Sequence, residues 1–326
     1  MNIFLQAIDL YGLEGFELKP IAEHEGGRNS IFVCSKDGEK KYVLRVSELN
    51  DRTMNDYLAE TEYIRYLKEN GASVADVIPS LNGSLVEKIG DAYVSLFEYA
   101  KGMLMCDNGY RYREGVPLEE YFYNVGKAIG RIHKLSKVYE PKHKRMSYFD
   151  KFNTEYIDEI IPDACGELKK AIAKRTEEFH KLPINKSVFG MVHFDYCDGN
   201  YHVDMSTGDI TVFDFDNCIC CWYMFDLAHT WTHGLGWCMR EPDPEKRLAF
   251  MEHYFDTILE GYTSETDVSE DKLNKLQLFI DMTLIENIVD EFECAAREGE
   301  EIDYEDIRQA AFCLINDIPL LGIGGK

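Results

Sequence analysis

The sequence predicts an α+β chain in two parts, a small N-terminal β-sheet lobe carrying one helix and a larger, mainly helical C-terminal lobe. Three observations predict it. The N-terminal third alternates β-rich runs with a single helical stretch, the residues after Gly102 carry mostly helical periodicity, and a compact β-containing insert from Val188 to Asp216 interrupts that helical part. With 326 residues, 45% of them hydrophobic, the chain has apolar material for a core in each lobe.

The runs from Ser30 to Cys34 and from Lys41 to Val46 are β-rich and are separated by the turn Lys36-Asp37-Gly38-Glu39, which predicts a hairpin. Between Asp51 and Asn70 the apolar residues Leu58, Tyr63, Ile64 and Leu67 fall at helical spacing, and Gly71 closes the segment. Strand-like runs follow from Ser84 to Lys88 and from Ala92 to Tyr99. Residues 98–102 then read as a short linker between lobes at 1–97 and 103–326. In the second lobe, Tyr121 to Val138 is strongly amphipathic, and Asp150 to Lys181 gives a second helical stretch. Helices resume at Met224, with a break at Pro242 and Pro244 and a polar loop from Thr263 to Asp271.

Composition excludes several classes of function. A formal net charge of −24 argues against a nucleic-acid partner or an anionic membrane surface, since both call for a basic face. Met1 to Phe16 lacks a basic leader and cleavage site, and no apolar run approaches the roughly 18 residues of a membrane span, so a cytoplasmic protein is expected. Ten scattered cysteines then read as reduced thiols. Cys218, Cys220 and Cys221 lack the paired spacing of a zinc site.

The strongest chemical signal is His193-Phe194-Asp195 followed by Asn200, and then, after the turn at Ser206 to Asp209, Asp214-Phe215-Asp216. Phosphoryl transfer needs an acceptor hydroxyl held in line and metal ions that bridge the phosphates. Asp195 suits the hydroxyl proton, and Asn200 and Asp214 offer the hard oxygens that magnesium prefers. The spacing is the H-x-D-x4-N of a kinase catalytic loop followed by a strand ending in Asp. Asp214 lies within the apolar run Val212 to Phe215, where a carboxylate without a cationic partner would be costly to bury. Asp216 reads equally as a contact to a second metal and as a solvent-facing residue. Asp198, Gly199 and Asp209 read first as turn chemistry.

Together with Phe225-Asp226-Leu227-Ala228, the G-x3-G-x2-H run from Gly126 to His133, and Tyr42-Val43-Leu44-Arg45, these residues make the chain resemble the aminoglycoside phosphotransferase and choline kinase family. The resemblance covers nearly the whole chain. It implies a bilobal protein-kinase-like fold and an ATP-dependent kinase that phosphorylates a small hydroxylated molecule. The donor would be ATP or GTP with Mg2+, and Asp195 the catalytic residue. His193 and Asp226 would support the loop. Gly26 and Gly27 would cover the phosphates, and Arg45, where lysine is usual, would reach them with Glu60, or alternatively Glu62, as its acidic partner. Adenine would meet the backbone of Glu98 and Ala100.

Clustered aromatics more often fill a core, but Asp198 and the clustered Trp222, Trp231 and Trp237 are also candidate acceptor contacts, because an aromatic wall near a carboxylate suits a cationic amine or a sugar face. The acidic stretch from Asp281 to Asp306 reads mostly as a solvated helix face, and the resemblance implies that acidic C-terminal helices can also meet a cationic acceptor. Two rival readings are a protein Ser/Thr kinase and a non-catalytic nucleotide-binding pseudokinase. The eleven residues between Asp214 and Asp226 leave no conventional activation segment, which disfavours the first.

Overall fold

The computed structural model describes residues 3–21, 28–49 and 51–320. In chain order the elements are α1 (Ile3–Tyr11), β1 (Glu17–Pro20), β2 (Ser30–Lys36), β3 (Glu39–Ser47), α2 (Met54–Glu69), β4 (Val77–Ile78), β5 (Glu87–Ile89) and β6 (Ala92–Glu98). There follow α3 (Leu118–Ser136), α4 (Tyr148–Lys151), α5 (Thr154–Ile160), α6 (Gly166–Phe179), β7 (Phe189–Val192), β8 (Tyr201–Val203), β9 (Ile210–Val212) and β10 (Ile219–Trp222). The remainder is helical: α7 (Tyr223–Cys238), α8 (Pro244–Thr263), α9 (Glu270–Leu273), α10 (Leu276–Glu298) and α11 (Tyr304–Asn316).

The chain forms two compact units. The first comprises residues 1–117, 139–145 and 198–218, and the second comprises 118–138, 146–197 and 219–326. Residues 198–218 thus fall in the first unit rather than the second. The cause is local pairing, since the β8–β9 hairpin joins the first unit through bridges from Val74 to Val212 and from Met103 to Val203. Gly102 permits the second bridge: at φ 99°, a Cβ there would lie 2.3 Å from the Val203 carbonyl.

In the first unit an antiparallel sheet runs β1-β2-β3-β6-β4, with β5 also on β6. The predicted β2–β3 hairpin is present, and Asp37 and Gly38 both take positive φ, as a tight primed turn requires. Helix α2 starts later than the sequence suggests because Thr53 and Asp56 form a capping box. The expectation of one helix in this lobe is corrected by α1, whose Ala7 and Tyr11 pack against Leu44, Val94 and Leu96. Tyr11 also donates its hydroxyl to the Val94 carbonyl at 2.8 Å.

In the second unit α3 packs along α8. The glycines allow the approach, since a Cβ on Gly126 would sit 1.9 Å from the Ile258 carbonyl, and one on Gly261 would sit 1.9 Å from that of Tyr123. The single helical stretch expected over 150–181 is three helices, broken at the cap Asn153 and at Pro162. Strand β10, absent from the sequence reading, pairs antiparallel with β7. Among the described residues no helix is long and apolar enough to cross a membrane.

Candidate active site

In the second unit, β7 delivers the chain into the loop that carries Asp195. Phe194 takes φ 72°, a left-handed conformation costly for a bulky residue, so the surroundings must hold it. Asp226, buried in the first turn of α7, accepts from the backbone N–H of His193 and of Phe194, each at 2.9 Å. The Phe194 ring stacks on Phe225 at 4.2 Å, nearly coplanar. Tyr196 anchors the far side of the loop by donating its hydroxyl to the Val125 carbonyl at 2.9 Å. The loop is thus clamped on both sides of Asp195, whose own side chain stays 39% exposed.

Asp226 has a further partner that sequence reasoning did not assign. His133, the last residue of the G-x3-G-x2-H run, lies with Nε2 at 2.9 Å from Asp226 and with Nδ1 at 3.1 Å from the Tyr262 hydroxyl. An anionic Asp226 can only accept, so Nε2 carries the proton and Tyr262 donates to Nδ1. Burial pushes His133 below the usual histidine range despite Asp226. Burial alone would raise Asp226, but the bond from His133, the nearby histidines and the His193 backbone N–H hold it low.

His229, one turn beyond Asp226, is a second missed residue. It is buried, with Nε2 4.0 Å from Asp195 and Nδ1 3.4 Å from the Tyr196 carbonyl. Burial lowers its pKa against the pull of Asp195, which favours a neutral imidazole beside that carboxylate. On α10, burial, reinforced by Asp290, Asp195 and Glu293 against Lys151, pushes the Glu286 carboxyl up to about 8.

The tryptophan wall is corrected. Trp222 is a core residue, 2% exposed, with its indole N–H on the Pro183 carbonyl at 2.8 Å. Trp231 is buried on α7, and Trp237 packs on Tyr121 and Phe122 of α3. These rings serve helix packing, the commoner use of clustered aromatics.

In the first unit, Asn200 opens β8 and Asp214 follows β9. The Phe213 N–H donates to the Asn200 carbonyl at 2.9 Å and brings the two segments side by side. Asp214 has φ 61°, a second strained non-glycine residue at a predicted site position. Arg45 on β3 is buried and donates both arms to Glu60 on α2, at 2.8 and 2.7 Å. Glu60 is therefore the acidic partner, and Glu62 instead meets His143 at 3.0 Å. Burial would lower the Arg45 pKa, but Glu60, Asp216 and Asp214 together raise it, so the guanidinium stays charged.

Asp216 does not face solvent. It is buried against Arg52, Arg45 (3.4 Å) and Asn29 (3.2 Å), and the arginines overcome burial to hold its carboxyl below the usual range. Glu98 donates its N–H to the Asp76 carbonyl, and the Ala100 carbonyl lies 2.8 Å from His202 Nδ1. Asp198 forms a turn, as its first reading had it, and burial raises its pKa. Gly26 and Gly27 lie outside the described residues.

No group of three or more His, Cys, Asp or Glu side chains among the described residues is placed to hold a metal ion, and all ten cysteines are free thiols. The pair Asn200 and Asp214 fits magnesium by donor chemistry. Such an ion characteristically keeps one or two protein oxygens and takes the rest from water and phosphate.

The sequence model of the phosphotransferase enzyme family matches residues 17–265. The amicoumacin kinase of Bacillus subtilis (strain 168) is 27% identical over 275 residues, 82% of this chain and 77% of that protein. Among solved structures, an amicoumacin kinase in complex with AMP-PNP, Ca2+ and Ami aligns with a TM-score of 0.79 at 23% identity, covering 98% of this chain and 93% of that one. A microcompartment-associated aminopropanol kinase aligns at 0.68 and 18% identity over 96% and 93%. The choline kinase LicA from Streptococcus pneumoniae aligns at 0.61 and 13% identity over 97% and 98%. These alignments carry the protein-kinase-like α+β fold.

Proposed function

Because the chain belongs to the phosphotransferase enzyme family, we propose that it transfers the γ-phosphoryl group of ATP or GTP to a hydroxyl of a small, amine-bearing acceptor. The observation that carries this reading is the clamped loop at Phe194, which keeps a half-exposed Asp195 fixed between two buried anchors. A carboxylate so held can take the acceptor's hydroxyl proton as the phosphoryl group moves, without a separate ordering step.

Asn200 and Asp214 are the residues that would hold magnesium, and the ion would offset the charge of the phosphates. Arg45, anchored by Glu60, presents fixed positive charge on the nucleotide side. The adenine or guanine base would use the Glu98 carbonyl and the Ala100 N–H.

A cationic acceptor is supported by Glu286, whose pKa burial raises first and Asp290, Asp195 and Glu293 raise further. An incoming ammonium would relieve that repulsion and draw off the Glu286 proton. Amicoumacin and aminopropanol, named for relatives of this chain, are the first acceptors to try, followed by aminoglycosides, choline and neutral sugars.

The test is a panel of these acceptors scored for nucleotide consumption with ATP and with GTP in Mg2+. Transfer to an amine-bearing alcohol is expected, together with its loss in Asp195→Ala while nucleotide binding survives. Transfer retained in that variant would remove Asp195 from its role, and turnover of neutral sugars alone would sink the cationic acceptor.

A further inference from the structure

Around Asp216 the first unit contains a closed ring of polar contacts that the phosphoryl-transfer chemistry does not by itself require. Arg145 is buried, although it lies in the short stretch 139–145 between two segments of the second unit. Its guanidinium donates to three backbone carbonyls: Cys218 at 2.6 Å, Asp56 in the first turn of α2 at 3.0 Å, and Asp216. One turn along α2, Glu60 binds Arg45, and Arg45 reaches the Asp216 carboxylate at 3.4 Å. Arg52, just before α2, binds the same carboxylate and also the Asn217 side chain at 3.2 Å. The ring therefore runs from α2 through Glu60, Arg45 and Asp216, and back through Arg145 to α2.

We propose that Arg145 is a positioning residue that, with Asp216 and Arg52, locks the metal-binding Asp214 to α2 and Arg45, so that the nucleotide side of the site is assembled without an activation segment. The inference rests on the reading of Asp214 as a magnesium ligand.

Two observations argue for a lock rather than simple core packing. Asp214 sits at φ 61°, and a strained residue persists only where its neighbours over-determine it; Asp216, Asn217 and Cys218, just after it, are bonded by Arg145 and Arg52. The chain also allows eleven residues between Asp214 and Asp226, all used by this loop, β10 and the start of α7. No part of that stretch remains whose ordering could place α2 from outside. A planar guanidinium with five donors can serve three carbonyls at once, which an ammonium on a flexible stem cannot.

The test uses the full chain. Binding of a non-hydrolysable ATP analogue is measured by calorimetry with and without Mg2+, and amide exchange is followed without ligand. Arg145→Met is expected to weaken binding in Mg2+ by about 10- to 100-fold, as loss of outer support at a metal site does. Its metal-free binding should stay within roughly threefold of the parent, and exchange at 213–218 and in the first turn of α2 should accelerate together. Arg145→Lys should fall between the two. Equal losses with and without metal, or unchanged exchange, would overturn the lock.

Should Arg145→Met fail to fold, Asp216→Asn decides. It keeps the shape and the backbone bond to Arg145 but removes the charge, so the same Mg2+-selective loss is expected, and an unchanged Mg2+ response overturns the proposal. If the parent protein binds nucleotide indifferently to Mg2+, the magnesium reading of Asp214 fails instead. The lock then stands or falls on the linked exchange of α2 and 213–218.

Discussion

Asp195 and Asp214, the two carboxylates given chemical roles, are held in place by opposite physical means. Beside Asp195, the strained Phe194 is fixed by Asp226, whose charge is met by two backbone N–H groups and a neutral His133. Beside Asp214, itself strained, Asp216 is met by guanidinium groups, charge against charge. A brace of dipoles fits a single geometry and fails with the local fold. A brace of charges tolerates exchange of one partner for another of the same sign. The contrast predicts that the second unit answers to substitution mainly in stability and the first mainly in nucleotide and metal binding.

The largest expected effect is that of Asp226→Ala. It strips the partner from three buried donors, so a loss of about 3–5 kcal/mol in chemical denaturation is expected, with turnover lost as well. A cost below about 1 kcal/mol would show that the dipole brace is not what holds the loop. Next is Gly126→Ala, which drives a methyl toward the Ile258 carbonyl 1.9 Å from the Cβ position. Overpacking of about 1–3 kcal/mol is expected, read by the same measurement. Because α3 carries His133, acceptor turnover should fall alongside stability.

Smaller again is a pH effect. His133 sits among Asp226, Tyr262, Tyr223, Lys137 and His193, and burial lowers its pKa. Its unfolded form takes up a proton near pH 6.5 while the folded form does not, so stability is full above that pH and falls as the pH drops toward the folded value. The slope is at most about 1.4 kcal/mol per pH unit for each such histidine. Asp226 adds a second loss, which begins below the ordinary aspartate pKa of 3.8 and runs down through its depressed folded value. His202, in the first unit, shifts in the same direction as His133. Melting temperatures of His133→Gln between pH 5 and 7.5 should therefore be compared with those of the parent, and an unchanged slope would remove His133 from the account.

What could be read from the sequence follows the range of the interaction. The β2–β3 turn, the span of α3, and the positions of Asp195, Asn200, Asp214 and Asp226 depend on neighbours or on a fixed motif spacing, and they are visible in the sequence. Helix α1 is not, because nine residues with apolar side chains on most positions show no clear period. The arginines around Asp216 are hidden for another reason: Arg52 and Arg145 reach it across 164 and 71 positions, and no local pattern announces either. His133 meets Asp226 across 93 positions, so the resemblance marked its motif without its role. Trp222 could be read either way, because clustered tryptophans look the same whether they line a pocket or fill a core.

The smallest effect tests the charge brace at Arg45, where the family usually has lysine. Arg45→Lys keeps the charge but trades a two-armed bond to Glu60 for a single one, and it gives up the guanidinium's seat over the Phe97 ring, 4.9 Å from its centroid. A stability loss of about 1 kcal/mol is expected, with nucleotide affinity changed by no more than a few-fold, because Glu60 and Asp216 still hold a cation between them. Glu60→Gln, which leaves the arginine but removes a charge, should weaken nucleotide binding more than Arg45→Lys does. The reverse order, measured by calorimetry in Mg2+, would mean that the fork geometry of Arg45 rather than its charge carries the phosphate contact, and the first unit would then be as geometrically exacting as the second.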